Sequence, residues 1–150
     1  IFVSIQEKQL QSHAGISPYL IDLPRYQHIG PMAALLTAFH HFPHQNFMLI
    51  GCDYPLLKPD DLKDFVLLID AHPQWPVAFF NPERFYEPLL AYYPAKCASI
   101  LQQNHRAGMN SLQSFLKEQQ AIPFIPQNLN AMYSVDTTVQ HEQVITLLSK

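Results

Sequence analysis

Phe47-Met48-Leu49-Ile50-Gly51-Cys52-Asp53-Tyr54-Pro55 is the stretch on which the fold turns. Its first four residues are apolar without alternation. They read as a strand covered on both faces in a mostly parallel sheet. Cys52 to Pro55 reads as a turn at the carboxyl end of that strand. Ligands of open α/β sheets bind beyond the carboxyl ends of the strands. Asp53 is therefore a candidate ligand for a hard cation such as Mg²⁺, which takes one or two carboxylates together with phosphate oxygens. Aspartate in a turn also caps its own backbone, and strand position alone leaves both readings open.

On the amino side of this strand, Gly30-Pro31 introduces Met32-Ala33-Ala34-Leu35-Leu36-Thr37-Ala38-Phe39. The run is strongly helix-forming, and Pro31 suits the first helical position, where its missing N–H costs nothing. Ile1 to Ile5 and Tyr19 to Ile21 read as strands, the second ending near Asp22, with a short helix over Gln6 to Leu10. On the carboxyl side, Lys58-Pro59-Asp60-Asp61-Leu62 opens a helix to about Ala71, its acidic residues lying where the macrodipole favours them. Strands follow over Pro76–Phe80 and Pro88–Tyr93, then helices near Ala95–Asn104 and Ser111–Gln119. Ile122–Ile125 reads as a proline-flanked strand near the sheet edge, and a last helix spans about Thr138 to Leu148. Strands alternating with helices make an α/β domain.

Composition removes several function classes. With 48% hydrophobic and 14% charged residues, the 150-residue chain builds a core rather than remaining disordered. No apolar run approaches the ~20 residues of a membrane helix. Nine Lys+Arg against twelve Asp+Glu leave no basic face for nucleic acid. Cys52 and Cys97 form neither a disulfide framework nor a thiolate metal site, and are expected as two buried thiols in a reducing cytoplasm. His40-His41 with His44 is discounted as a metal site, because Pro43 interrupts the helix before His44. Ile1-Phe2-Val3-Ser4-Ile5 has no polar leader or signal-peptide pattern before it, so the chain is expected to begin inside a domain.

Five segments, in order, carry a family resemblance. These are Gly30-Pro31-Met32-Ala33-Ala34-Leu35, Ile50-Gly51-Cys52-Asp53-Tyr54-Pro55-Leu56-Leu57, Glu87-Pro88-Leu89-Leu90-Ala91-Tyr92-Tyr93, Ala107-Gly108-Met109-Asn110-Ser111-Leu112 and Tyr133-Ser134-Val135-Asp136-Thr137. Together they resemble the nucleotidyltransferases of the molybdenum cofactor guanylyltransferase (MobA-like) family, across nearly the whole chain. The fold so implied is a three-layer, Rossmann-like nucleotidyltransferase domain with a mostly parallel sheet, a single domain over 1–150.

The resemblance implies Mg²⁺-dependent transfer of GMP from GTP to molybdopterin, releasing pyrophosphate, in the cytoplasm. It implies Asp53 as the catalytic metal ligand, with Asp136 as a second carboxylate. Asp22, Gly30 and Pro31 would meet the nucleotide, Asp22 at the guanine base. Molybdoenzyme-maturation proteins are implied as partners, and neither nucleic acid nor membrane is. Tyr92 has a lesser claim to flank the pterin. Ala34, Asn110, Ser134 and Thr138 depart from the family pattern. So does the lack of the glycine-rich, basic loop that follows the family's first strand, which makes a strand-loop-helix unit upstream of Ile1 an expectation. Alternatives are a cytidylyltransferase of the same fold and a non-catalytic relative that hands nucleotide or cofactor to a partner.

Overall fold

In the computed structural model, which describes residues 1–9, 18–83, 85–135 and 137–148, β1 (Val3–Ile5) and β2 (Tyr19–Ile21) pair in parallel, with Val3 opposite Tyr19 and Ile5 opposite Ile21. A single 3₁₀ turn at Glu7–Gln9 follows β1. Helix α1 (Met32–His41) then leads to β3 (Phe47–Ile50), α2 (Pro59–Ala71), β4 (Val77–Asn81) and β5 (Phe85–Tyr93). The chain continues through α3 (Cys97–Arg106), α4 (Leu112–Glu118), β6 (Ile122–Phe124) and α5 (Thr138–Leu148). Pro31 sits one position earlier than expected, at the N-cap of α1 rather than inside its first turn. Among the described residues, no helix is long and apolar enough to cross a membrane.

The second sheet has the order β3-β5-β4-β6. Strands β3, β4 and β6 run one way and β5 runs against them. The expected mostly parallel sheet thus holds in part: β1–β2 and β4–β6 pair in parallel, while both contacts of β5 are antiparallel. The reason is local. Asn81 and Phe85 bracket a link too short for the crossover that parallel neighbours require. Strand β6 lies at the edge, where Pro123 at its centre is tolerated.

Alternate residues of the central strands feed two cores. On one face Ala78, Ala91 and Tyr93 meet α1, α3 and α4 through Leu35, Leu36, Phe39, Leu101, Phe115 and Leu116. On the other, Val77, Phe79, Leu90 and Tyr92 meet Phe65 and Ile69 of α2. This period-two division makes the three layers. Within the second core, ring centroids of Phe65, Phe79 and Phe124 are 4.8, 4.7 and 5.3 Å apart pairwise.

Strand β3 differs from its expected burial. Phe47 and Leu49 pack against the first core, but Met48 and Ile50 are 40% and 43% exposed. At the end of the strand order it has a neighbour on one side only, and α2 covers β4 and β5 instead. Helix α1 packs against both β2 and β3, joining the two sheets from one face.

Candidate functional site

The turn after β3 is built around Gly51. Its N–H donates to the Leu89 carbonyl at 2.7 Å, anchoring the turn to β5. The Asp53 carboxylate folds back over the Gly51 α-carbon, and the Tyr54 ring lies beside it. Tyr54 is buried, and its hydroxyl donates to Glu87 at 3.3 Å. The Asp53 carbonyl accepts the Val135 N–H at 2.9 Å, so the segment entering α5 lies against this turn. Among the described residues, no group hydrogen-bonds the Asp53 carboxylate. The capping alternative for Asp53 thus has no hydrogen bond behind it in this region. Asp136 lies outside the described residues. The cap of α5 falls to Thr137, whose Oγ1 accepts the Gln140 N–H while Gln140 Oε1 accepts the Thr137 N–H.

A break in β5 brings Glu87 here. Between the pairs Ala78–Ala91 and Phe80–Tyr86, β4 contributes Phe79, while β5 contributes Glu87, Pro88, Leu89 and Leu90. Pro88 cannot donate to the ladder, and an irregularity of this kind re-aims side chains at the sheet rim. Glu87 was not among the expected site residues. Pro88 within a strand pattern was the signal that could have found it.

Asp22 occupies a second place. Its N–H donates to the Ile5 carbonyl at 3.0 Å, and the Leu23 N–H donates to Thr37 Oγ1 at 3.0 Å. Thr37 is fully buried in α1, so this bond ties the end of β2 to the helix. The Asp22 carboxylate accepts from Ser4 Oγ at 3.0 Å. Burial raises the Asp22 carboxyl above its usual range, and the Ser4 hydrogen bond opposes the rise. Asp22 and Gly30 line a cavity of about 400 Å³ with Gln6, Glu7, Lys8, Gln27, His28 and Ala33. That volume suits a nucleobase-sized ligand.

Gly30 has φ +65°, and a Cβ there would meet nothing within 4 Å. Its need for glycine is the left-handed backbone, and the wall of the cavity stays open beside it. His28 shares the turn at φ 69°, a conformation unusual for a side-chain-bearing residue. No sequence signal separated His28, Gln6 or Gln27 from ordinary surface residues.

The structure therefore brings Asp22 and Gly30 to one cavity, with Pro31 next in the chain, and sets Asp53 at a separate turn. Among the described residues, no group of three His, Cys, Asp or Glu side chains is assembled around a metal position. The donor set at Asp53 fits a hard cation that takes one protein carboxylate and completes its shell with phosphate oxygens and water. Tyr92 is buried in the second core, and its hydroxyl donates to the Pro73 carbonyl at 2.8 Å. Cys97 is buried, its thiol pushed up to about 12, chiefly by burial. Cys52, expected to be buried, is exposed: the turn beyond β3 projects it away from both cores. Asn110 Oδ1 accepts from His105 Nδ1 at 2.9 Å and so braces the loop before α4.

The model of the MobA-like NTP transferase domain matches residues 1–122. The chain is 23% identical over 124 residues to the molybdenum cofactor guanylyltransferase of Shewanella frigidimarina (strain NCIMB 400), which covers 82% of this chain and 63% of that protein. It thus spans less than two thirds of that relative's length. Among solved structures, molybdopterin-guanine dinucleotide biosynthesis protein A from Archaeoglobus fulgidus superposes with a TM-score of 0.74 at 19% identity, over 99% of this chain and 78% of that one. A protein from Aquifex aeolicus VF5 superposes with a TM-score of 0.69 at 18% identity, over 91% and 71% of the two chains. At such identities the likeness is one of fold.

Proposed function

The chain belongs to the MobA-like NTP transferase family, and on that premise we propose that it transfers GMP from GTP to molybdopterin as a molybdenum cofactor guanylyltransferase. The observation that carries the reading is Asp53, a carboxylate at the carboxyl end of β3, held over Gly51 in a turn tied to β5 and to the segment before α5. The attacking group in such a transfer is a phosphate oxygen already ionised at neutral pH, so no general base is required. What the protein must overcome is repulsion between two polyanions, about 4 kcal/mol for unit charges ~4 Å apart at an effective dielectric near 20. A bound Mg²⁺ supplies charge neutralisation at the phosphates. In this reading Asp53 and Asp136 hold that ion. Asp22 accepts the N–H donors of guanine's Watson–Crick edge, and Gly30 and Pro31 form the wall beside the nucleotide. Residues 1–150 act as one domain.

The test follows pyrophosphate release by the full-length protein with each nucleoside triphosphate, GTP and CTP among them, Mg²⁺ and molybdopterin. GTP is the expected donor, and Asp53→Ala is expected to lower turnover by about 100-fold or more while leaving the melting temperature unchanged. Near-normal turnover in that variant removes the metal assignment. Turnover with CTP instead of GTP moves the reading to a cytidylyltransferase. Nucleotide binding without release of pyrophosphate identifies a non-catalytic carrier.

A further inference from the structure

We propose that Ser4 is a positioning residue that orients the Asp22 carboxylate toward the cavity and keeps it an ionised acceptor for the N–H donors of a nucleobase. The inference rests on the nucleotide reading of that cavity, but its first test does not. Three hydrogen bonds define the arrangement. The Asp22 N–H is held by the Ile5 carbonyl of β1, and the next N–H, of Leu23, is held by Thr37 inside α1. The backbone on both sides of the Asp22 side chain is thereby fixed. The remaining freedom is rotation of the carboxylate, and Ser4 Oγ, from the neighbouring position on β1, binds one oxygen at 3.0 Å.

The parallel register explains why Ser4 can do this. Ser4 pairs with Leu20 and Ile5 with Ile21, so the end of β2 delivers Asp22 beside the Ser4–Ile5 segment. A serine hydroxyl donates one hydrogen bond and carries no charge. It stabilises the anion against burial while engaging only one of the two carboxylate oxygens. Other titratable groups line the same cavity as Asp22. Glu7 and Lys8 come from the 3₁₀ turn, and His28 from the turn before α1. His41, at the end of α1, lines an adjoining groove together with Asp22 and Glu7. Arg25, three residues on, is engaged by His40 Nδ1 at 2.8 Å.

The experiment compares the full chain with Ser4→Ala and Ser4→Thr. Carboxyl-carbon NMR of the ligand-free protein follows the titration of Asp22, and calorimetry follows GMP binding across pH. Removal of the hydroxyl is expected to move the Asp22 midpoint upward and to move the acid limb of GMP binding with it. Affinity at neutral pH is expected to fall roughly 3- to 10-fold, the effect of one hydrogen bond. Threonine, which keeps the hydroxyl, is expected to restore both. An Asp22 midpoint unchanged by Ser4→Ala overturns the assignment. A wild-type protein that binds no GMP at any pH overturns the nucleotide reading instead, and the carboxyl titration still decides the role of Ser4.

Discussion

Alanine in place of Gly51 would probe the turn that presents Asp53. The backbone at this position lies outside the left-handed region, so the whole penalty comes from contacts. The new Cβ would press into Asp53 Oδ1, stand 2.8 Å from Tyr54 Cε2 and 3.2 Å from Leu89 Cβ. Two of these neighbours cannot yield. Tyr54 is buried with its hydroxyl on Glu87, and Leu89 is tied to the turn by the Gly51 N–H. The Asp53 carboxylate is the free end, so it swings away. One methyl forced into a packed site costs about 1–3 kcal/mol, and the stiffer unfolded chain offsets about 0.4–1 kcal/mol of that. The net loss of about 1–2 kcal/mol corresponds to a melting temperature lower by about 2–8 °C for a domain of this size. A carboxylate displaced by ~1 Å costs about 100-fold in turnover. Thermal melts and pyrophosphate release measure the two effects. Combining Gly51→Ala with Asp53→Ala is expected to recover part of the stability loss, because the closest clash is then gone. A Gly51→Ala protein with undiminished stability and full turnover would refute the packing of Asp53 over Gly51.

Three further outcomes follow from the same geometry. With a disulfide reagent at pH 8, Cys52 is expected to react quickly and Cys97 only after denaturation, given exposure of the first and a thiol at about 12 for the second; two fast thiols in the native protein would contradict this. Phe65→Ala, which empties the centre of the Phe65–Phe79–Phe124 cluster, is expected to cost about 3–5 kcal/mol in urea denaturation, and a loss below about 1 kcal/mol would count against that packing. Burial lifts the Asp22 carboxyl above its unfolded value of 3.8 despite the opposing Ser4 bond, so its contribution to stability is present below that value and is lost as pH rises through the folded one. Asp22→Asn is therefore expected to leave stability at pH 7 unchanged or raise it by less than about 1 kcal/mol, since solvent screens a partly exposed carboxylate; pH-dependent melts showing a clear loss at neutral pH would reverse the sign of the argument.

Much of the architecture was legible because it is written in local patterns. The helix Pro59–Ala71 and the strands at Tyr19–Ile21, Phe47–Ile50 and Val77–Asn81 all follow from runs of apolar residues bounded by proline, glycine or acidic helix starts. Of the three acidic residues singled out, Asp22 directly follows β2 and Asp53 lies in the turn beyond β3, where a change from apolar to acidic is visible in one dimension, and Asp136 lies outside the described residues. The burial of β3 was misjudged for the opposite reason. An apolar tetrapeptide has the same sequence whether it is central or at an edge, and only the strand order leaves Met48 and Ile50 partly exposed.

What the chain specifies by itself is thus the alternation of strands and helices, the placement of carboxylates at strand ends and the resemblance of its turns to one family. Tertiary structure alone decided that β5 runs against its neighbours, that its break at Pro88 carries Glu87 to Tyr54, and that Ser4 reaches Asp22 eighteen residues away. The division has a physical cause. Backbone preference and hydrophobic periodicity act over a few residues, whereas register, edge position and hydrogen bonds between separate strands depend on which segments pack together. That choice is set by the burial of both faces of the sheet at once.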